Sequence, residues 1–257
     1  MEELFRMCLV LCPLVFLAGF VDSVAGGGGL ISLPAYLMLG LPPHMASGTN
    51  KVVNSMGTAL ATWKYMKSGK VRVKLGLLAA VGALVGSAIG TKIALYLDQQ
   101  MLKTILLIAL PAAAVILTVK KDFGQNEEPA REETGRDLLA CLLIGLVMGC
   151  YDGMIGPGTG TFMIMAFTAV VGMDLLTASG CAKMGNLASN VCSAVLWLLN
   201  GQVMYALIIP GAIFNLLGNY MGAQYAIRGG SKKIRGMIFV VLGLLFLKVF
   251  YDLTLGR

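Results

Sequence analysis

Apolar residues in this chain come in long unbroken blocks rather than at the spacing of one helix face. Residues 203–227 include no Asp, Glu, Lys or Arg over 25 positions, and 75–91 include none over 17. A bilayer core of about 30 Å asks for about 20 apolar residues in a helix, so such blocks predict membrane-spanning helices. The blocks run roughly over 5–22, 30–41, 44–66, 74–97 and 101–119, then over 137–151, 161–172, 174–199, 203–227 and 235–252. The second and seventh hold about a dozen residues, too few to cross as a helix rising about 1.5 Å per residue. Each follows a Gly-rich stretch, which predicts half of a broken helix or a re-entrant hairpin. Met1-Glu2-Glu3 is a poor positive leader, and glycines stand where a cleavage site would fall, so the first block is read as a retained helix.

The blocks repeat. The run from Asp22 through Gly26, Gly27, Gly28 and Gly29 to Leu30-Ile31-Ser32 reappears as Asp152 through Gly156, Pro157, Gly158, Thr159 and Gly160 to Thr161-Phe162-Met163. A shift of 132 then lays Gly40 on Gly172, Ala46-Ser47-Gly48 on Ala178-Ser179-Gly180, Lys51 on Lys183, Asn54 on Asn186, Gly86 on Gly218 and Gly90 on Gly222. Matching Gly, Lys and Asn in one register indicates a tandem duplication. The expected fold is all-α and integral to the membrane. Residues 1–119 form a first repeat and 137–257 a second, each of about five segments, with 120–136 a charged linker.

Composition agrees: 57% of residues are hydrophobic and 13% charged, too few charges to cover a soluble domain of this length. The net charge of +7 reads as topology and not as nucleic-acid binding. Three connections hold 13 of the 20 Lys and Arg: Lys64, Lys67, Lys70, Arg72 and Lys74; Lys120, Lys121, Arg131 and Arg136; Arg228, Lys232, Lys233 and Arg235. The equivalent connections at Asn200-Gly201-Gln202 and Asp98-Gln99-Gln100 carry none. The positive-inside rule puts the basic ones in the cytoplasm. That inverts the repeats relative to each other and leaves both termini outside. Inverted repeats with broken helices mark transporters whose site lies near the midplane.

Four charged residues sit inside the apolar pattern and belong to the repeat: Asp22, Lys51, Asp152 and Lys183. An ionisable group at that depth costs about 2.5–3.5 kcal/mol and normally faces a cavity or a partner. Ser47, Lys51, Asn54 and Thr58 recur on one face of the third segment, and Ser179, Lys183, Asn186, Asn190 and Ser193 on one face of the eighth. The Gly runs precede short helices, whose N-terminal N–H groups attract anions. Glycine there lets a substrate come close to the backbone. Lys51, Asn50, Asn54, Lys183, Asn186, Ser47, Ser179 and the glycines 26–29, 156, 158 and 160 are therefore the candidate binding residues for a small anion. Asp22 and Asp152 are candidate proton carriers, because burial favours the neutral acid while a nearby Lys favours the carboxylate. Simple structural pairing of the lysines with the aspartates, and simple helix packing by the glycines, are the plainer alternatives. Gly82, Gly86 and Gly90 read as packing alone. The six cysteines form no CxxC pair and no metal cluster with the lone His44.

The Asp-x-x-x-Gly-Gly-Gly-Gly-Leu run followed by Ala-Ser-Gly-Thr-Asn-Lys resembles the sulfite exporter TauE/SafE family, also called the toluene sulfonate uptake permease family. The likeness covers essentially the whole chain. In the second copy Pro157 and Thr159 interrupt the glycines, and Cys181-Ala182 replaces Thr49-Asn50. The resemblance implies transport of sulfite, sulfonates or other small organosulfur anions across a prokaryotic plasma membrane. The sequence reading is thus a secondary transporter by alternating access, not an enzyme. It has no cofactor or metal, coupling to a proton or other ion is admitted, and homo-oligomerisation is left open. Two rivals stand beside it: a transporter of a non-sulfur or neutral metabolite, and a membrane thiol protein acting through Cys150 and Cys181.

Overall fold

The computed structural model describes residues 2–98, 100–101, 104 and 133–254. The fifth predicted segment, apart from Met101 and Thr104, and linker residues 120–132 lie outside the described residues. Within them the elements are all helical: α1 Glu2–Ala25, α2 Gly29–Met38, α3 Pro43–Lys67, α4 Val73–Tyr96, α5 Gly135–Met154, α6 Thr159–Ala166 continued by a π-turn Phe167–Val171, α7 Leu175–Leu199 and α8 Tyr205–Thr254. The predicted segments 203–227 and 235–252 are both in α8. No loop separates them, only a break at Gly230 (φ 62, ψ −163), a conformation open to glycine.

Local chemistry sets the helix ends. Pro42 and Pro43 open α3. Thr134 and Asp137 close a reciprocal capping box on α5. Asp174 Oδ1 accepts from Leu176 N at 2.9 Å and Thr177 N at 3.0 Å at the start of α7. Glycines with positive φ turn the chain at equivalent places in both halves: Gly40 and Gly172, Gly69 and Gly201, Gly26 and Gly156.

The short helices do not cross. Ten residues of α2 rise about 15 Å. A Cβ at Gly28 would overlap the Ala18 carbonyl and Asp22 Cβ, and Leu33, Ala35 and Tyr36 share an apolar cluster with Leu11 and Val15. The chain therefore folds back along α1. In the second half, Tyr151 donates to the Pro157 carbonyl at 2.8 Å and packs edge-on against Phe162, returning α6 along α5.

The long helices exchange partners between halves. α4 packs chiefly on α5, and α1 on α8. A Cβ at Gly86 or Gly90 would overlap the Leu146 or Cys150 carbonyl, and one at Gly218 or Gly222 the Phe16 or Phe20 carbonyl. Residues 16 and 20 lie 130 positions before 146 and 150, so the two contacts share one register. The numbering rises together on both helices of each pair, so each pair is parallel. α3 and α7 meet in the middle and run antiparallel: Gly48 approaches Trp197 and Gln202, while Gly180 approaches Lys70 and Val71.

α1 (over Leu4–Ala25), α4, α5 and α8 (over Tyr205–Val240) are long and apolar enough to cross a membrane. Their outer faces expose Leu17, Val81, Leu84, Leu143, Val147, Ile209 and Ile213. α3 and α7, 25 residues each, miss that standard because of the polar residues they carry, and those residues are turned inward. Lys51, Thr58, Lys183, Asn186, Asn190 and Ser193 are all buried.

Replacing Gly86 or Gly218 with Leu is expected to remove most folded protein, since overpacking against backbone costs about 1–3 kcal/mol or more. Gly236→Ala, where a Cβ meets nothing within 4 Å, is expected to leave the melting temperature in detergent within about 2 °C. Fluorescence-detected size exclusion after heating distinguishes the two outcomes.

Candidate functional site

The two Gly-rich turns meet at the centre of the molecule. A Cβ on Gly160 would stand 2.5 Å from Gly26 Cα, and one on Gly29 would stand 3.2 Å from Pro157 Cα. Only glycine permits this approach. Thr161 Oγ1 donates to the Ala25 carbonyl at 2.7 Å, fixing the start of α6 to the end of α1. The first turns of α2 and α6 therefore converge, with α3 and α7 alongside.

Around this crossing lies a polar cavity of about 20 Å³, room for about one water molecule. Its lining joins Asp22, Gly26, Gly29, Asn50, Lys51 and Asn54 from the first half to Asp152, Gly156, Gly160 and Asn186 from the second. All ten are residues singled out in the sequence. Thr159 and Asn190 complete it. Asn190 lies on the polar face already noted for α7, but Thr159 looked like an interruption of the glycines.

Two ion pairs flank the cavity, and both cross between halves. Lys51 Nζ lies 2.7 Å from Asp152 Oδ2, and Lys183 Nζ lies 2.6 Å from Asp22 Oδ2. Further bonds separate the pairs along the helices. Lys51 also donates to Asn190 Oδ1 at 3.1 Å, and Ser189 Oγ donates to Asp152 Oδ2. The Lys183 carbonyl accepts from Thr62 Oγ1 at 3.1 Å, and Tyr65 donates to the Ser23 carbonyl at 3.0 Å. Asp22–Lys183 thus sits toward the end of α3 that carries Lys64 and Lys67, and Lys51–Asp152 toward the other.

The pairs are not equivalent. Lys51 and Asp152 both line the cavity, whereas Lys183 is 0% exposed and absent from its lining. The structure thus brings one of the two candidate lysines to the cavity and holds the other behind Asp22. Ser179 is also kept away, its hydroxyl donating to the Leu175 carbonyl of its own helix at 2.7 Å. Ser47, Gly27, Gly28 and Gly158 do not line the cavity either. Gly28 packs on α1, and Gly158 supplies the positive-φ turn before α6. Asn186 Oδ1 is buried with no protein partner, an acceptor left over at the cavity wall. Among the described residues no group of three His, Cys, Asp or Glu is placed to hold a metal. His44 instead meets the Ala94 carbonyl at 3.1 Å and the Trp197 ring.

Removing one partner of a buried pair strands the other charge, at a cost of about 3–5 kcal/mol. Lys183→Met is therefore expected to lower the melting temperature more than Lys51→Met, whose partner keeps Ser189. Adding Asp22→Leu to Lys183→Met is expected to restore at least half of the loss. Thermal unfolding of the purified protein in detergent measures all three.

The sequence pattern of the sulfite exporter TauE/SafE family matches residues 11–249. A Sinorhizobium protein named "Probable membrane transporter protein ORF9" is 32% identical over 99% of this chain and 97% of its own length. A Haemophilus influenzae protein named "Probable membrane transporter protein" is 33% identical over 92% of each chain. The Escherichia coli K12 protein YfcA, named likewise, is 32% identical over 95% of this chain and 89% of its own. No solved structure matches. Helices able to span a membrane, short helices crossing at a polar centre and a match over almost the whole length lead to one conclusion: the chain belongs to the sulfite exporter TauE/SafE family of membrane transporters.

Proposed function

We propose that the chain is a secondary transporter of a small anion, sulfite or a small organosulfonate, bound at the crossing of α2 and α6. One observation supports this most: Lys51 and four asparagines share a buried cavity with the N-terminal turns of two half-length helices. Ammonium, amide and helix N-terminal N–H groups are all donors suited to an oxyanion. The sulfur chemistry comes from the family alone. A cavity of about 20 Å³ is smaller than any sulfur oxyanion, so binding requires the halves to part, as alternating access demands.

In this reading 1–119 and 137–257 are repeats joined by the linker 120–136, inverted about an axis in the membrane plane. The antiparallel α3 and α7 support that, since equivalent helices run in opposite directions. The basic connections also gather at one end. Arg72 lies 3.4 Å from Glu133, and Lys64 donates to the Tyr220 carbonyl and to Gln224 Oε1, each at 3.1 Å. That end is assigned to the cytoplasm of a plasma membrane and both termini to the outside.

Charge balance suggests the coupling. Each Lys is already neutralised by an Asp, so an anion that takes Lys51 must displace Asp152, and a proton on Asp152 would restore neutrality. The same balance favours a second reading, a neutral metabolite with both pairs purely structural.

Uptake of labelled sulfite, thiosulfate and a small sulfonate into proteoliposomes tests the assignment. Lys51→Gln is expected to lower saturable flux at least tenfold in folded protein. Retained flux of a metabolite in a folded Lys51→Gln, Asp152→Asn double variant would favour the neutral-substrate reading. If Asp152 carries the proton, an inward pH gradient is expected to accelerate uptake by the native chain, and Asp152→Asn to abolish that acceleration. An unchanged response would exclude Asp152 as the carrier.

A further inference from the structure

Two fully buried asparagines of α8 lie outside the cavity. Asn215 is 0% and Asn219 1% exposed, within the stretch of 25 residues free of charge. Amides buried in an apolar setting are costly unless bonded, and these are bonded in a ladder. Asn54 Nδ2 donates to Asn50 Oδ1 at 3.1 Å, Asn215 Nδ2 to Asn54 Oδ1 at 3.1 Å, and Asn219 Nδ2 to Asn215 Oδ1 at 2.9 Å. Asn50 and Asn54 line the cavity, so the ladder begins there. Two glycines make room for it: a Cβ at Gly57 would overlap Asn215 Oδ1, and one at Gly19 would stand 2.8 Å from Asn219 Nδ2. Asn219 Oδ1 is buried with no partner.

Beyond Asn219, α8 leads toward the basic end. There an open groove of about 530 Å³ is lined by Gln224, Arg228 and Lys233 together with Phe20 and Tyr225. Lys64 lies beside it, bonded to Gln224.

A second polar seam leaves the cavity in the opposite direction, between α4, α5 and α7. Ser87 Oγ and Thr91 Oγ1 lie 2.7 and 2.8 Å from Ser193 Oγ. Ser87 donates to the Ser189 carbonyl at 2.8 Å, and Thr91 to the Gly153 carbonyl at 3.2 Å. Ser189 connects it to the cavity, its hydroxyl donating to the lining residue Asp152. The shift of 132 carries Ser87 onto Asn219 and Gly57 onto Ser189, so the seams occupy equivalent places in the two halves.

We propose that the two seams are the two halves of the substrate's path. The amide seam of α1, α3 and α8 opens the cavity to the basic end, and the hydroxyl seam of α4, α5 and α7 opens it to the other. This rests on the anion-transport reading. Closed, the amides of one seam bond each other and the hydroxyls of the other bond backbone carbonyls and Ser193; parted, they face an anion with uncharged N–H and O–H groups that bind it without trapping it. The basic groove forms the inner mouth, where Arg228, Lys233 and Lys64 concentrate anions.

Sided labelling tests the path without knowledge of the substrate. Asn219→Cys and Ser193→Cys are made singly in a chain whose own cysteines are replaced, in vesicles of known orientation, and treated with an impermeant anionic methanethiosulfonate. Asn219→Cys is expected to react at least tenfold faster from the side of the basic connections, and Ser193→Cys at least tenfold faster from the opposite side. No reaction from either side, or the same side for both, overturns the proposal. Asn215→Asp in the native chain is a second arm: sulfite flux is expected to fall at least tenfold with sulfite affinity within about threefold. Unchanged flux counts against the path. Sided labelling in a protein that moves none of the sulfur anions would instead sink the substrate reading and leave the path standing.

Discussion

A helix that stops halfway through a bilayer exposes backbone N–H groups at a depth where lipid can bond none of them, and much of this molecule follows from that constraint. Unpaired backbone at such depth is tolerated only inside protein or beside a polar cavity. Here α2 and α6 begin in the same place, the turn before each covering the start of the other through the contacts of Gly26 with Gly160 and of Pro157 with Gly29. Covering them takes helices from both halves, and the cover is polar. α3 and α7 turn Lys51, Asn54, Lys183, Asn186 and Asn190 toward the crossing instead of toward lipid. Those polar faces in turn force α3 and α7 into the middle, behind the apolar α1, α4, α5 and α8.

The arrangement ties the halves together by exchange. α1 and α4 each find their main neighbour in the other half, through glycines that admit a carbonyl at equivalent positions, and each carboxylate finds its ammonium there too. Burial makes such pairs poor sources of stability, since their desolvation cost rivals their attraction. Their value lies in selectivity among arrangements. Because both pairs join the halves, any shear of one half past the other parts both pairs together.

Much of this was legible in the sequence because polar residues stand out in apolar blocks. Asp22, Lys51, Asp152 and the glycines could be picked out by type, and the short segments by length alone. What could not be read was which aspartate meets which lysine, because that depends on contacts more than 100 residues apart. Nor did the repeat reveal that Lys51 reaches the cavity while Lys183 does not. The sequences differ locally, with Ala182 standing where the first copy has the cavity residue Asn50, and the difference breaks the symmetry of the site. Ser179 misled for another reason: a serine in a helix can bond its own preceding turn and leave the polar face without a donor. Asn215 and Asn219 carried a signal in their four-residue spacing within an uncharged segment, yet a lone pair of amides gives no direction until its partners on α3 are in place.

The loss of symmetry at the site bears on how a duplicated protein can be directional. A perfect inverted repeat presents the same pocket to both sides, and only gradients could then decide the flow. In this chain both members of the Lys51–Asp152 pair border the cavity, whereas of the other pair only Asp22 does and Lys183 lies behind it, while one seam is built of amides and the other of hydroxyls. Along the proposed path, an anion arriving by the amide seam meets Asn54 and Asn50 before Lys51; one arriving by the hydroxyl seam meets Asp152 and Lys51 first. In the proposed mechanism the displaced carboxylate is Asp152 in both directions, but it is met at the start of one passage and at the end of the other. Under the proposed coupling, a proton on Asp152 is taken up at the start of one passage and given up at the end of the other, so it travels with the anion.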